Sequence, residues 1–328
     1  MIEASWDAGG IRLRGVPAGT EVQVRPAADI VDLPPTAGRL RQDGDDLSFV
    51  PRFGFVDGTT YVVRAGGVVV ATLTRPRPER PSTTGVVDIY PTTDEVPRNL
   101  LRCYVQFSAP MAQGYVADNV RLVDDAGDTI DGALLPADHE LWDADRVRLT
   151  VLLDPGRIKR GLAGGSALRS GASFRLVIDP GFLDAQGIPL RSGSERRYRV
   201  GSDERRRIDP GQWILSTPPD GSREPLVVEF DRPLDHGLLA HCLQAIGPDG
   251  HPVDGVGAID PAERAWRLTP SHPWSSATYH LVVNPILEDL AGNSVVRVFD
   301  RDLSRPEDAP VPSGPATVPF RPRSLQKP

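Results

Sequence analysis

Histidine is the side chain best suited to proton transfer and metal binding near neutral pH. Five of the six histidines fall in the last third of the chain: His236, His241, His251, His272 and His280. Zinc or general-base chemistry on a helix needs two imidazoles on one face, as H-x3-H or H-E-x-x-H provides, and no pair has that spacing. His280 alternates with Tyr279 and Leu281 in a strand-like run and is expected to face solvent. Asp124, Asp125 and Asp128 surround Gly127, and Asp143 and Asp145 lie on a later loop. Calcium needs six to eight converging oxygens, and the D-x-[DN]-x-[DN]-G loop is absent. Asp before Gly is the ordinary chemistry of a tight turn, and the same reading covers Asp289 to Asn293. No G-x-S-x-G elbow, Cys-His pairing or Walker loop occurs. Gly161-Leu162-Ala163-Gly164-Gly165-Ser166 is Gly-rich but leads into no helix with a Lys-Ser/Thr pair, and nothing points to a pair of carboxylates for glycoside hydrolysis. The sequence therefore reads as non-catalytic and calls for no cofactor.

Tryptophans could instead form a platform for sugar stacking. Trp213 and Trp266 occupy strand positions, where large apolar side chains fill a core. Trp142 and Trp274 read as loop-borne, so at least one of them is expected to be exposed.

The elements that must position these residues are short strands. Of 328 residues, 32 are Gly and 33 are Pro, too many for long helices, while 39% hydrophobic content is enough for packed cores. Lysine occurs only at Lys159 and Lys327. With 37 basic against 44 acidic residues, the net charge of -7 argues against nucleic acid as the main partner. No apolar run is long enough for a membrane-spanning helix. The opening Met1-Ile2-Glu3-Ala4-Ser5-Trp6-Asp7 carries no signal-peptide pattern. The expected location is periplasmic, outer-membrane-associated or extracellular if an export signal was removed, and cytoplasmic otherwise. Cys103 sits in an apolar run and reads as a buried hydrophobe; two distant cysteines make no disulfide scaffold.

An internal repeat organises the chain. Asp88-Ile89-Tyr90-Pro91, then Leu101 through Met111, matches Trp213 through Pro219 followed by Leu226 through Leu234. Downstream, Val120–Gly127 matches Leu243–Gly250, Val147–Thr150 matches Trp266–Thr269, Ser173–Ile178 matches Thr278–Val283, and Leu183–Gly187 matches Glu288–Asn293. About seven short alternating strands per copy predict an antiparallel β-sandwich. Leu47–Pro51 and Gly58–Val63 form a weaker relative of the same ending. The predicted organisation is all-β: a small N-terminal β domain over 1–80, immunoglobulin-like sandwiches over 84–202 and 210–303, and a Pro-rich irregular tail over 304–328. Pro76–Pro81 and Asp203–Pro210 read as linkers.

The copies differ at one place. The offset from Leu149 to Leu268 is 119, and from Phe174 to Tyr279 it is 105, so the first copy carries about 14 extra residues. They fall around Gly156–Arg169, a loop with four cations and no acid. Long loops on rigid scaffolds carry function, which makes Arg157, Lys159, Arg160 and Arg169 the candidate binding residues for an anionic partner.

Phe107-Ser108-Ala109-Pro110-Met111 after a Pro-led strand, and the closing Asp289-Leu290-Ala291-Gly292-Asn293 turn, resemble the SbsA-like bacterial immunoglobulin-like domain. The resemblance covers roughly residues 86–200 and 211–300, and Phe230-Asp231-Arg232-Pro233-Leu234 departs from its motif. It implies tandem domains of surface, secreted or lipoprotein chains. The resulting expectation is an interaction or spacer protein of a bacterial cell envelope, with an envelope protein or anionic surface polymer as partner. The alternative is a carbohydrate-binding or carbohydrate-processing protein with accessory sandwich domains, of which processing requires an acid-lined active-site cleft between domains.

Overall fold

The computed structural model describes residues 2–7, 10–17, 19–27, 35–44, 46–56, 58–76, 81–135, 140–157, 167–312 and 314–324. The chain divides into two compact units, Met1–Pro81 and Ser82–Pro328.

The first unit has strands β1 (Glu3–Asp7), β2 (Gly10–Arg14), β3 (Val22–Pro26), β4 (Gly38–Asp43), β5 (Asp46–Pro51), β6 (Thr60–Ala65) and β7 (Val68–Thr74). Alternation drives them together: Ile11 and Leu13, Val22 and Val24, and Tyr61, Val63 and Ala65 turn inward onto one core. The sheets run β1-β2-β5-β4 and β3-β6-β7. Lettered A to G in chain order, this is A-B-E-D against C-F-G, the arrangement of a constant-type immunoglobulin sandwich. The small N-terminal domain is thus a complete seven-stranded sandwich.

The second unit holds two sandwiches with separate cores. In the middle sandwich the strands are β8 (Val86–Tyr90), β9 (Glu95–Val96), β10 (Arg102–Phe107), β11 (Val120–Asp124), β12 (Leu141–Trp142), β13 (Arg148–Leu152), β14 (Ser173–Ile178) and β15 (Ser194–Val200), with one helical turn, α1 (Val116–Asn119). The last sandwich has β16 (Ile214–Ser216), β17 (Leu226–Glu229), the helix α2 (His236–Cys242), β18 (Leu243–Ile246), β19 (Gly255–Ile259), β20 (Ala265–Pro270), β21 (Tyr279–Val283) and β22 (Ala316–Phe320). In the middle sandwich sheet β12-β13-β10-β8 packs on β11-β14-β15-β9, and in the last sandwich β16-β17-β20-β19 packs on β18-β21-β22, each with the same A-B-E-D and C-F-G pattern. The short β9 is an addition, pairing parallel to β15. The protein is all-β, built of immunoglobulin-like sandwiches.

Strand pairing corrects the repeat alignment by two residues. Val105 faces Leu149, and its counterpart Val228 faces Trp266, not Leu268. A slip of two keeps every side chain on the same face, so alternation alone cannot detect it. The offset is then 117 at Leu149/Trp266 against 105 at Leu176/Leu281, and the basic insert is 12 residues long.

The Pro-rich tail is also corrected. It was expected to be irregular, yet its residues Ala316–Phe320 form β22, which pairs antiparallel with β21 and buries Phe320. Tyr198/Phe320 is offset by 122 and Phe174/Tyr279 by 105, so the last sandwich makes a 17-residue excursion before its closing strand. Pro319 lies on the open edge of the sheet, where its missing N–H costs no ladder bond.

Gly38 and Gly255 open the D strands of the first and last sandwiches, each opposite a proline that ends the E strand, Pro51 and Pro270. A Cβ on Gly255 would lie 2.4 Å from the Thr269 carbonyl oxygen, a backbone atom with no freedom to yield. Gly255→Ala is therefore expected to destabilise the second unit by about 1–3 kcal/mol. Gly54→Ala, where a Cβ meets nothing within 4 Å, should stay within about 0.5 kcal/mol. Urea unfolding of both variants checks the contrast.

Candidate functional site

The richest chemistry in the second unit lies where its two sandwiches meet. Tyr90 and Tyr104 are cross-strand partners on the outward side of the middle sandwich's A-B-E-D sheet. The His236 ring stacks on Tyr90 with centroids 3.5 Å apart. Tyr104 donates its hydroxyl to Asp235 Oδ1 at 2.7 Å, and the same oxygen caps α2 by accepting from the Leu238 amide at 2.9 Å. Burial beside Asp235 pushes the Tyr104 phenol far above its ordinary range, which keeps it a donor. Gly237 is required here, since a Cβ would sit 2.7 Å from the Tyr104 ring.

Glu263 is wholly buried on the last sandwich. Its two oxygens accept from the Thr92 amide at 2.9 and 2.8 Å, Oε1 also accepts from the Thr92 hydroxyl at 2.9 Å, and His236 Nδ1 lies 3.3 Å away. Glu263 has a positive φ of 50°, and Arg146 in the middle sandwich has 56°. Both residues give their carbonyl to the equivalent amide, Leu234 and Met111, so the left-handed backbone belongs to the repeat and only the side chain is specific to the junction.

The Asp289 turn behaves as its sequence predicts and does more. Oδ1 accepts from the Ala291 and Asn293 amides at 3.0 and 2.9 Å, as Asp184 does for Gln186 and Ile188 in the middle sandwich. Leu290 leaves its own sandwich to join the middle sandwich's core, and the Leu101 amide donates to its carbonyl at 2.9 Å. Arg232 Nη1 lies 3.2 Å from Asp289 Oδ2 and 2.9 Å from Glu204, and the same guanidinium donates to the Arg206 and Arg207 carbonyls. Arg232 stands where the first copy has Ala109, so the departure from the repeat motif is the residue that ties the joining segment down. Burial raises the Asp289 carboxyl to about 7, against the pull of Asn293 and Arg232.

Asp203–Pro210, read from sequence as a linker, is therefore docked. Arg98 grips Asp203 through two hydrogen bonds of 2.7 Å, Asn99 and Glu204 exchange two more, and Ile208 and Pro210 are buried. The Arg98 hydrogen bonds hold Asp203 below its ordinary value of 3.8. Burial opposes ionisation of Glu204, but Arg206 and Arg232 outweigh it and its carboxyl is also lowered.

A cleft of about 430 Å³ remains between the sandwiches, lined by Glu95, Asp203, Glu204, Arg232, Arg264 and Asp289 among others. Four of its lining side chains are carboxylates, Glu95, Asp203, Glu204 and Asp289. Each has an arginine partner: Glu95 has Arg199, Asp203 has Arg98 and Arg205, and Glu204 and Asp289 share Arg232.

Of the basic-loop residues, Arg157 closes the 3-10 turn Pro155–Arg157, and Lys159 and Arg160 lie outside the described residues. Arg169 is exposed on a groove whose lining includes Asp124, Asp125 and Asp131. The expected exposed tryptophan is not found: Trp213, Trp266 and Trp274 are buried, and Trp142 is half-buried between Phe107 and Phe182. Cys103 and Cys242 are free and buried, their thiols pushed up by burial to about 12 and about 11. Among the described residues no helix is long and apolar enough to cross a membrane, and no group of His, Cys, Asp or Glu is placed to hold a metal ion.

No protein-family model and no curated protein matches the chain. Solved structures with similarity include a fragment of Escherichia coli α-2-macroglobulin spanning domains MG0-NIE-MG1, at 11% identity over 73% of this chain and 71% of that one, TM-score 0.26. The I9-I11 tandem of titin is similar at 8% identity over 88% and 97%, TM-score 0.20. The S-layer protein rSbsC(31-844) is similar at 11% identity over 74% and 41%, TM-score 0.27. At these scores none carries an argument about arrangement or function, and the immunoglobulin-like assignment stands on strand order.

Two outcomes follow for the junction. Arg232→Ala leaves buried Asp289 without its cation and frees the joining segment, so it should cost about 3–5 kcal/mol in urea unfolding. Arg232→Lys should not restore it, because an ammonium lacks the fork that reaches several acceptors at once. Asp203, lowered in the folded state, contributes stability that is complete above pH 3.8 and lost as pH falls through its lower folded value. Asp203→Asn should flatten that acid limb in melts between about pH 5 and pH 2.

Proposed function

We propose that this is a non-catalytic interaction and spacer protein of a bacterial cell envelope, in which the two larger sandwiches act as one stiff arm. The observation that carries the reading is the docked joining segment. Tandem domains move freely by default when a flexible linker joins them across a small interface. Here Asp203, Glu204 and Arg205 are held from both sandwiches, and Leu290 crosses into the neighbouring core. Such a junction transmits orientation, which is what a spacer needs and what a mobile catalytic module does not. The envelope assignment rests on the SbsA-like motif residues, Phe107–Met111 and Asp289–Asn293.

The non-catalytic reading is supported by the chemistry of the cleft. General acid–base work needs a carboxyl poised to exchange a proton with substrate. Asp203 and Glu204 instead pair with junction arginines, Glu95 pairs with Arg199 within the middle sandwich, and Asp289, although raised to about 7, is buried with its oxygens taken up by the Ala291 and Asn293 amides and Arg232. The partner contact is assigned to the Gly156–Arg169 insert, whose cations suit an envelope protein or anionic surface polymer.

Two experiments test the proposal. Spin labels at Gln186→Cys and Thr269→Cys, both exposed and on different sandwiches, should give one narrow distance distribution that broadens in Arg232→Ala. A broad distribution in the otherwise unaltered chain would remove the stiff arm. Separately, intact protein and a variant with Gly156–Arg169 replaced by a short Gly-Ser turn are used as bait against envelope and soluble fractions. A partner from the envelope fraction, retained by the intact bait and lost from the variant, is expected; identical captures would sink the insert as the contact.

A further inference from the structure

We propose that β4, the D strand of the N-terminal sandwich, is a strand-addition site for an extended acidic segment of a partner protein. Three observations point there. β4 is the outermost strand of β1-β2-β5-β4, and all six residues from Gly38 to Asp43 are exposed. An antiparallel strand pairs through alternate backbone groups, so an outermost strand presents the other half of its N–H and C=O groups outward.

The second observation is charge. Leu40 is opposite core residue Phe49, which places Arg39, Arg41 and Asp43 on the outer face. The inner strands of that face settle their own charges: Arg12 pairs with Asp7 at 2.8 Å and Arg14 with Asp46 at 3.3 Å. Arg39 and Arg41, two residues apart on the edge, have no ion pair or hydrogen-bonded partner among the described residues. Carboxylates at alternate positions of an incoming strand would meet them directly, as opposite charges do across a sheet.

The third observation is what the edge turns away. If two copies of β4 pair antiparallel about Leu40, their outer faces stay continuous, and Arg39 of each stands opposite Arg41 of the other. Like charges directly opposite are destabilising. The D strands of the other two sandwiches carry no such pair of cations: β12 is two residues long and β19 reads Gly-Val-Gly-Ala-Ile. The arginines thus discriminate, rejecting a second copy and accepting an acidic strand.

The test is calorimetric titration of the full chain with the peptide Ac-Thr-Glu-Val-Glu-Val-Glu-Thr-NH2. Saturable binding is expected, weakened about tenfold or more between about 0.05 M and about 0.5 M salt. The peptide with Lys in place of Glu should not bind. Arg39→Glu/Arg41→Glu should lose the acidic peptide and gain the Lys peptide, and Arg39→Gln should fall between. The gain of binding shows that the double variant remains folded. Two peptide isomers, each N-methylated at alternate backbone nitrogens, separate pairing from mere adhesion: one isomer should bind and the other fail. No binding of the acidic peptide would overturn the proposal, as would equal binding of both isomers. Self-association of the intact chain that Arg39→Glu/Arg41→Glu abolishes would also overturn it, in favour of a second copy as occupant.

Discussion

Three carboxylates without access to water, on Asp235, Glu263 and Asp289, decide the form of the second unit. Removing an ion from water costs several kcal/mol, and the cost is recovered only where donors converge on the charge. Here many of the donors stand on the opposite sandwich or the joining segment. Tyr104 donates to Asp235, with the Arg102 guanidinium as its ion-pair partner at 3.2 Å, and the Thr92 amide and hydroxyl donate to Glu263. Arg232 binds Asp289 while holding the segment's carbonyls. Separating the sandwiches would strand at least two of these charges. Apolar surface contributes through Leu290 and Phe299, which pack against the middle sandwich's core, but the polar contacts fix the angle at which they do so.

The repeat supplies a common frame on which such differences are written. Asp184 and Asp289 close the same turn, and Arg146 and Glu263 occupy the same left-handed position. In one copy Ala185, Gln186 and Gly187 are exposed; in the other Leu290, Ala291 and Gly292 are buried against a neighbour. A few side chains at fixed turn positions thereby convert a common closing turn into a joint.

Period-2 alternation and Pro/Gly turns made the all-β class and the two larger sandwiches legible, because a strand with one face in the core must alternate. The N-terminal sandwich was only partly legible. Its E and F strands, ending at Pro51 and opening at Thr60, share the repeat's signature, while β1 to β4 carry none of the Pro-led motif. The two-residue slip at Leu149 was invisible for the reason that makes it harmless: it preserves the face. The joining segment was misread because its charges resemble those of a solvated linker, and a sequence does not say which arginine reaches which carboxylate. The one available signal was Arg232 at a turn position where the other copy has Ala109. Of the basic insert, the sequence gives cations and length, whereas their placement in the fold is described only at Arg157 and Arg169.

The late arrival of β22 has a consequence for how the chain is made. Val283 and Ala316 bound a stretch in which the last sandwich has every strand but its final one, and 32 residues lie between them. At a synthesis rate of about 5–20 residues per second, β21 waits roughly 2–7 s with one edge uncovered. During that interval the aromatic pocket that Phe320 later fills, between Trp274 and Tyr279, is open. A nascent chain in this state presents a ready template for strand pairing until its closing strand arrives.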